Sequence, residues 1–200
     1  GETSDIEIDA EVVACAATGD EAKEAARDAQ VWADREGSRI WIRPSFLPPS
    51  NTRLRMRVTM PRGIEAFTHA KHTDVESFHG TLHLGGSTAS VSDLSGKIRI
   101  GNDIVGNVRM ERVSGDIEVN AFCADIEIGE WCGDATLQTV LGNIVLEHGS
   151  GAISAKSSRG DVLVTDVVSS RAKLASKRGT IRFSGTTMPG GSYELKSVDG

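Results

Sequence analysis

Cysteine, proline, aromatic side chains and runs of one charge are all scarce in this 200-residue chain. Each scarcity excludes something. Three cysteines, Cys15, Cys123 and Cys132, are too few and too odd a number for a disulfide framework. They suit a reducing compartment, or one pair plus a free thiol. Aromatics make up 4% of residues and proline contributes 5, against 22 glycines. That balance describes many short strands joined by tight turns. Lys and Arg (22) and Asp and Glu (28) leave a net charge of −6 with no basic run, which argues against a nucleic-acid partner. No apolar stretch approaches the length of a membrane helix and none reads as a leader, so this segment is not expected to insert directly into a bilayer. Disorder is excluded as well: 38% of residues are hydrophobic, and Val, Ile and Leu are spread along the whole chain.

Catalytic signatures are also missing. There is no Gly-x-Ser-x-Gly elbow, phosphate loop or dinucleotide fingerprint, and no long insertion interrupts Gly106 to Gly179. The expectation is a protein that is not an enzyme and needs no cofactor.

What the chain does contain is a repeat. Gly106-Asn-Val-Arg-Met110, Gly115-Asp-Ile-Glu-Val119, Ala124-Asp-Ile-Glu-Ile128, Gly133-Asp-Ala-Thr-Leu137, Gly142-Asn-Ile-Val-Leu146, Gly151-Ala-Ile-Ser-Ala155 and Gly160-Asp-Val-Leu-Val164 follow one another at nine-residue spacing. Related units lie at Gly96–Ile100, Ala172–Ala175 and Gly179–Phe183. The apolar-variable-apolar triplet is a short strand with two side chains in and one out. Gly and Asp/Asn supply the corner geometry. Val113, Phe122, Trp131 and Val140, each two places before the next repeat, are expected to fill the corners of the core.

The fold expected is all-β: a single-stack parallel β-solenoid, or β-helix, over 80–200, preceded by a cap at 1–79 containing strands and one short helix. Two nine-residue units would form a coil with two opposed faces, rising about 4.8 Å per rung. Three units per coil, 27 residues, fit the same period. With two per coil, the outward ladders read Arg99, Glu118, Thr136, Ser154, Lys173 on one face and Arg109, Glu127, Val145, Leu163, Arg182 on the other. Arg99 over Glu118 and Arg109 over Glu127 are opposite-charge neighbours. Val145 and Leu163 form a small apolar step, read either as a contact surface or as two ordinary β-formers.

In the first part, Ile6–Val12 alternates as a strand. Thr18-Gly-Asp-Glu21 is a capping signature ahead of a helix at about 20–30. Val31–Asp34 and Arg39–Arg43 flank a turn at Glu36-Gly37-Ser38, Pro44–Thr52 is a loop, and Leu54, Met56 and Val58 alternate with Arg53, Arg55 and Arg57. These arginines read as a solvated strand face.

Taken together, Leu54-Arg-Met-Arg-Val-Thr-Met-Pro-Arg-Gly63 and Gly115-Asp-Ile-Glu-Val119 with its neighbours resemble a bacterial adhesin-like family of β-strand-repeat domains of unknown function. The resemblance spans nearly the whole chain. It implies a parallel β-solenoid, often attached to the cell envelope through other segments. It carries over no catalytic residues. Three cysteines and several histidines depart from the more acidic members. On this resemblance the expected place is the envelope or cell surface, with the cytoplasm as the alternative that three cysteines and no leader in this segment allow.

Three clusters invite chemistry. His69, His72, His79 and His83 lie within 15 residues at spacings a divalent metal could use, or are scattered surface histidines. The Asp/Asn series Asn107, Asp116, Asp125, Asp134, Asn143, Asp161 is like that of calcium-binding β-rolls. Each unit holds only one glycine, however, which favours turn-capping side chains. Cys123 and Cys132 fall at opposite corners of a two-strand coil and are expected as buried free thiols. The functional expectation is an adhesin-like binding module for a protein or glycan surface. Its alternatives are a scaffold that self-associates through its coil ends and, third, a carbohydrate-active β-helix enzyme.

Overall fold

A computed structural model describes residues 7–14, 18–21, 23, 31–36, 39–44, 52–101 and 104–199. It divides into two compact units, Gly1–Phe67 and Thr68–Gly200.

In the first unit, β1 (Glu7–Ala14) is followed along the chain by β2 (Val31–Glu36) and β3 (Arg39–Pro44), which form an antiparallel hairpin in which Glu36 faces Arg39. β4 (Thr52–Thr59) pairs antiparallel with β1, from Glu7 opposite Thr59 to Ala14 opposite Thr52. Gly19, Asp20, Glu21 and Lys23 are helical. Thr18 caps them reciprocally: Glu21 N donates to Thr18 Oγ1 (3.4 Å) and Thr18 N donates to Glu21 Oε2 (3.3 Å). The rest of the expected helix, the tip of the Glu36–Ser38 turn, the 45–51 loop and Cys15 lie outside the described residues.

The second unit is a parallel β-solenoid. Its strands are the end of β5 (Ile64–Glu76), then β6 (His79–Ile100), β7 (Val108–Ser114), β8 (Ile117–Cys123), β9 (Ile126–Cys132), β10 (Ala135–Leu141), β11 (Ile144–Ser150), β12 (Ile153–Arg159), β13 (Val162–Ser176) and β14 (Ile181–Ser197). One face stacks Ala89, Val108, Ile126, Ile144, Val162 and Ile181 in register. The opposed face stacks Ile98, Ile117, Ala135, Ile153, Ala172 and Tyr193. Successive rungs are 18 residues apart through the middle, as from Ile117 to Ala135 to Ile153. The coil therefore holds two strands, and the 27-residue alternative is excluded. The core is a column of aliphatic pairs: Ile126 and Ile128, Ile144 and Leu146, and Val162 and Val164 are all essentially inaccessible. Burying such a side chain is worth about 1.5–3 kcal/mol.

The two halves of the coil are not equivalent. On the first face the residue four places after Ala89, Val108, Ile126, Ile144 and Val162 is left-handed although none is glycine: Asp93, Arg112, Glu130, His148 and Asp166, with φ between 49° and 55°. That residue points out, and the next one turns in. Leu94, Val113, Trp131 and Val167 are accordingly buried. On the opposed face alternation simply continues, so the fifth residue points in: Ala121, Thr139, Ser157 and Ser176. This corrects the corner assignment. Val113 and Trp131 do fill corners, but Phe122 is 56% exposed and Val140 is only half-buried. No left-handed residue precedes them to redirect the chain. The hydroxyls that take their place donate to corner carbonyls one coil back: Thr139 to Ala124 O (3.1 Å), Ser157 to Gly142 O (2.9 Å), and Ser176 to Gly160 O (3.0 Å).

The other corner element is a polar ladder. Asp125 Oδ1 accepts from Asn143 N (2.7 Å), Asn143 Oδ1 from Asp161 N (2.9 Å), and Asp161 Oδ1 from Thr180 N (2.7 Å). Across the coil, Asp134 Oδ1 accepts from Ala152 N (3.1 Å). Each carboxylate or amide thus satisfies a corner N–H of the next coil, which strand pairing leaves open. The final strand, β14, pairs in parallel with β13 through both halves of a coil, from Ile181 opposite Val162 to Ser197 opposite Ser176. It is one more rung and presents its own outer edge.

Candidate functional site on the β7, β9 and β11 face

Arg109, Glu127, Val145, Leu163 and Arg182 stack in one outward ladder. On the opposed face Arg99, Glu118, Thr136, Ser154, Lys173 and Glu194 do the same. Arg99 Nε reaches Glu118 Oε2 at 3.2 Å. Arg109 and Glu127 are in register, but among the described residues no ion pair joins them. Val145 and Leu163 are adjacent and half-buried.

Two columns over, the outward positions are Glu111, Gly129, Glu147 and Thr165. Gly129 has no side chain, and nothing lies within 4 Å of where a Cβ would stand. The missing side chain opens a shallow concavity of about 360 Å³ across three rungs. Its walls carry Glu111, Glu127, Glu130, Glu147, Arg109 and His148, with Val145 at one side. Four carboxylates and one guanidinium line the notch, and at its border Arg112 Nη1 lies 3.8 Å from Glu111 Oε1, which leaves the lining acidic with one carboxylate partly answered. Of the residues singled out from the sequence, Arg109, Glu127 and Val145 line the notch and Leu163 does not, and the notch itself was not foreseen. Its only signal was a glycine at a variable, mid-strand position where neighbouring coils carry Glu111 and Glu147.

The left-handed column that borders this notch is polar throughout: Asp93, Arg112, Glu130, His148 and Asp166. Arg112 Nε donates to Asp93 Oδ1 (2.6 Å) and Nη2 to Asp93 Oδ2 (3.0 Å), a two-bonded fork. These bonds from Arg112 hold the Asp93 carboxyl below its ordinary range, and they raise the Arg112 guanidinium in turn. Glu130 follows, then His148, whose Nδ1 lies 3.8 Å from Asp166 Oδ2.

The histidine series is placed on β5 (His69 and His72) and β6 (His79 and His83). The His69 ring lies over Gly85, in space a Cβ would fill, and His72 Nδ1 sits 2.5 Å from Thr88 Oγ1. Among the described residues, no group of three or more His, Cys, Asp or Glu side chains is arranged to hold a metal ion. Cys123 and Cys132 are free thiols, as expected, but they are not buried: Cys123 is half-buried and Cys132 is exposed. Each is the last residue of its strand, Cys123 of β8 and Cys132 of β9.

No helix among the described residues is long and apolar enough to cross a membrane. Comparison with protein-family models, with curated proteins and with solved structures gives no match.

Proposed function

We propose that this chain is a non-enzymatic interaction module, of the adhesin-like kind its motifs resemble, that receives a partner on the β7, β9 and β11 face. The supporting observation is the notch at Gly129, a concavity on an otherwise regular wall of side chains. Rigid rungs hold Glu111, Glu127, Glu130 and Glu147 around a space one side chain wide. A cationic side chain fits that space by charge and size, and the Val145–Leu163 step beside it suits an apolar neighbour. The partner that matches is an exposed protein segment with a basic residue next to an apolar one.

Peptide and glycan arrays probed with the chain test this. Binding to peptides that pair basic with apolar residues is expected, weakening with salt as exposed charge contacts do. Gly129→Leu fills the notch without strain, because its space is open, and should weaken that binding about tenfold, the scale of one lost anchor. Leu163→Asp should do the same from the apolar side. Equal binding by wild type and Gly129→Leu would refute the site. Selective capture of glycans alone would refute the partner class.

A further inference from the structure

The β8, β10 and β12 face, separate from the β7, β9 and β11 face, carries a graded column of side chains toward the ends of its strands. Cys123, Leu141 and Arg159 are in register. Gly160 N donates to Arg178 O at 3.0 Å, as Gly142 N does to Arg159 O, so Arg178 continues this column on the next rung. One residue back, Phe122 lies beside Val140 and Val140 beside Ser158. Lys177 N donates to Ser157 O at 3.2 Å, which sets Lys177 next in that row. Two residues further back, Asn120, Gln138 and Lys156 are in register. The face therefore changes from apolar to basic along the stack. Phe122 is 56% exposed at one end, and Lys156, Arg159, Lys177 and Arg178 are exposed at the other. With rungs about 4.8 Å apart, about 14 Å separates Phe122 from Lys177.

Charge is arranged differently here from the rest of the face. Arg99 meets Glu118 and Lys173 meets Glu194, each at 3.2 Å across one rung. Arg159 and Arg178 instead stack cation on cation, with Lys156 and Lys177 in the neighbouring rows. The carboxylates that border them are Asp161, whose Oδ1 accepts from Thr180 N (2.7 Å), and Asp199, whose N donates to Lys177 O (3.0 Å). Among the described residues no ion pair joins either one to the four cations. Like charges on adjacent strands repel, and an anion set between two guanidinium groups turns that repulsion into attraction on both sides. The other rows narrow the class of ligand. β8, β10 and β12 are each paired on both sides, so no edge is open to an added peptide strand. Recognition falls to side chains. A guanidinium fork matches a planar carboxylate. The Asn120 and Gln138 amides and the Thr136 and Ser154 hydroxyls offer donors and acceptors to neutral hydroxyls. The Phe122 ring offers a flat apolar surface to a sugar ring. We infer that this face binds an acidic glycan, a linear sugar chain bearing uronate carboxylates, laid along the stack from Phe122 to Arg178.

Isothermal titration calorimetry with short oligomers of galacturonate, mannuronate and hyaluronan tests this. The methyl ester of each oligomer and a single-stranded DNA of matched length serve as comparisons. At least one acidic oligomer should bind, and its ester and the DNA should bind at least about tenfold more weakly, the scale of one lost anchoring contact. Arg159→Gln, Arg178→Gln and Phe122→Ser should each weaken binding about fivefold, the upper range for an exposed contact. Arg112→Gln, which removes a cation from the other face, should leave it unchanged. Arg159→Gln should also unfold at no lower urea concentration than the original, because it removes a like-charge contact. Failure of every acidic oligomer to bind overturns the inference. Equal binding of the ester overturns it by showing that the carboxylate is not read, and equal binding of the DNA by showing a surface for any polyanion. Unchanged binding in the Arg159→Gln, Arg178→Gln double variant, or an equal loss in Arg112→Gln, overturns the location. A lower urea midpoint for Arg159→Gln assigns the stacked arginines to the fold and overturns their role as a site.

Discussion

Replacing Gly133 with alanine is the sharpest test of how the stack is held together. Gly133 has φ of +140° and sits directly over Gly115 of the previous coil. A Cβ there would stand 2.2 Å from Gly115 O and 2.6 Å from Gly115 C. Both are backbone atoms, so no side chain can yield; the rungs must part. The left-handed extended region costs a non-glycine residue about 1–3 kcal/mol. Parting the corner also lengthens Gly115 N to Cys132 O (2.7 Å) and Gly133 N to Ser150 O (2.9 Å). Two weakened backbone bonds add about 1–2 kcal/mol. The sum, about 2–5 kcal/mol, is a large part of the 5–15 kcal/mol that typically stabilises a domain. Two other glycines separate the contributions. Gly63 has φ of +77° but nothing within 4 Å, so Gly63→Ala should cost about 1 kcal/mol from conformation alone. Gly129 has neither problem, and Gly129→Ala should fall within about 0.5 kcal/mol of wild type. Urea unfolding followed by far-UV circular dichroism gives the midpoints, and amide exchange localises the loss to the rungs around Gly133. If Gly133→Ala unfolds at the same midpoint as Gly129→Ala, the claim that stacked backbone contact fixes these corners is wrong.

Two further outcomes follow from the corner columns. Trp131 is 3% exposed and its indole occupies the space above Gly149, where a Cβ would be 2.1 Å from the ring. Trp131→Val should cost about 3 kcal/mol through the cavity it leaves. Gly149→Ala should cost a similar amount alone but much less beside Trp131→Val, with a coupling above about 1 kcal/mol in a double-mutant cycle; additive effects would show that the two do not share one space. The Asp93–Arg112 fork sets a pH dependence. Because the folded Asp93 carboxyl titrates below its unfolded value of about 3.9, its contribution is fully present above that pH and is lost as pH falls through the folded value. Carboxyl-resolved NMR titration should find Asp93 below the ordinary aspartate range, and Arg112→Gln should return it there. An unchanged Asp93 titration in that variant would assign the shift to another source.

The period of the stack was legible in the sequence for the same reason that Gly133→Ala should hurt. At Gly115, Gly133 and Gly151 the backbone of one coil touches the next, so only glycine is accepted and the residue type reports the geometry. The Asp/Asn position beside it was legible because a short side-chain acceptor must reach the next coil's N–H. The inequivalence of the two halves was not legible. The residue that creates it is Asp93, Arg112, Glu130, His148 or Asp166, and these share no turn propensity. They share a location, an outward corner where each side chain sits between those of the coils on either side. Polar side chains of neighbouring coils meet there, Arg112 with Asp93 at 2.6 Å and His148 with Asp166 at 3.8 Å. A conformation imposed by the coil is thus recorded in the sequence only as outward polar residues at 18- or 19-residue spacing, a signal that the nine-residue reading divides in half and so conceals. The candidate site shares this property. Gly129 sits in an outward column that holds Glu111, Glu147 and Thr165 in other coils, and only the rungs on either side, with Glu111 and Glu147, turn a missing side chain into a notch.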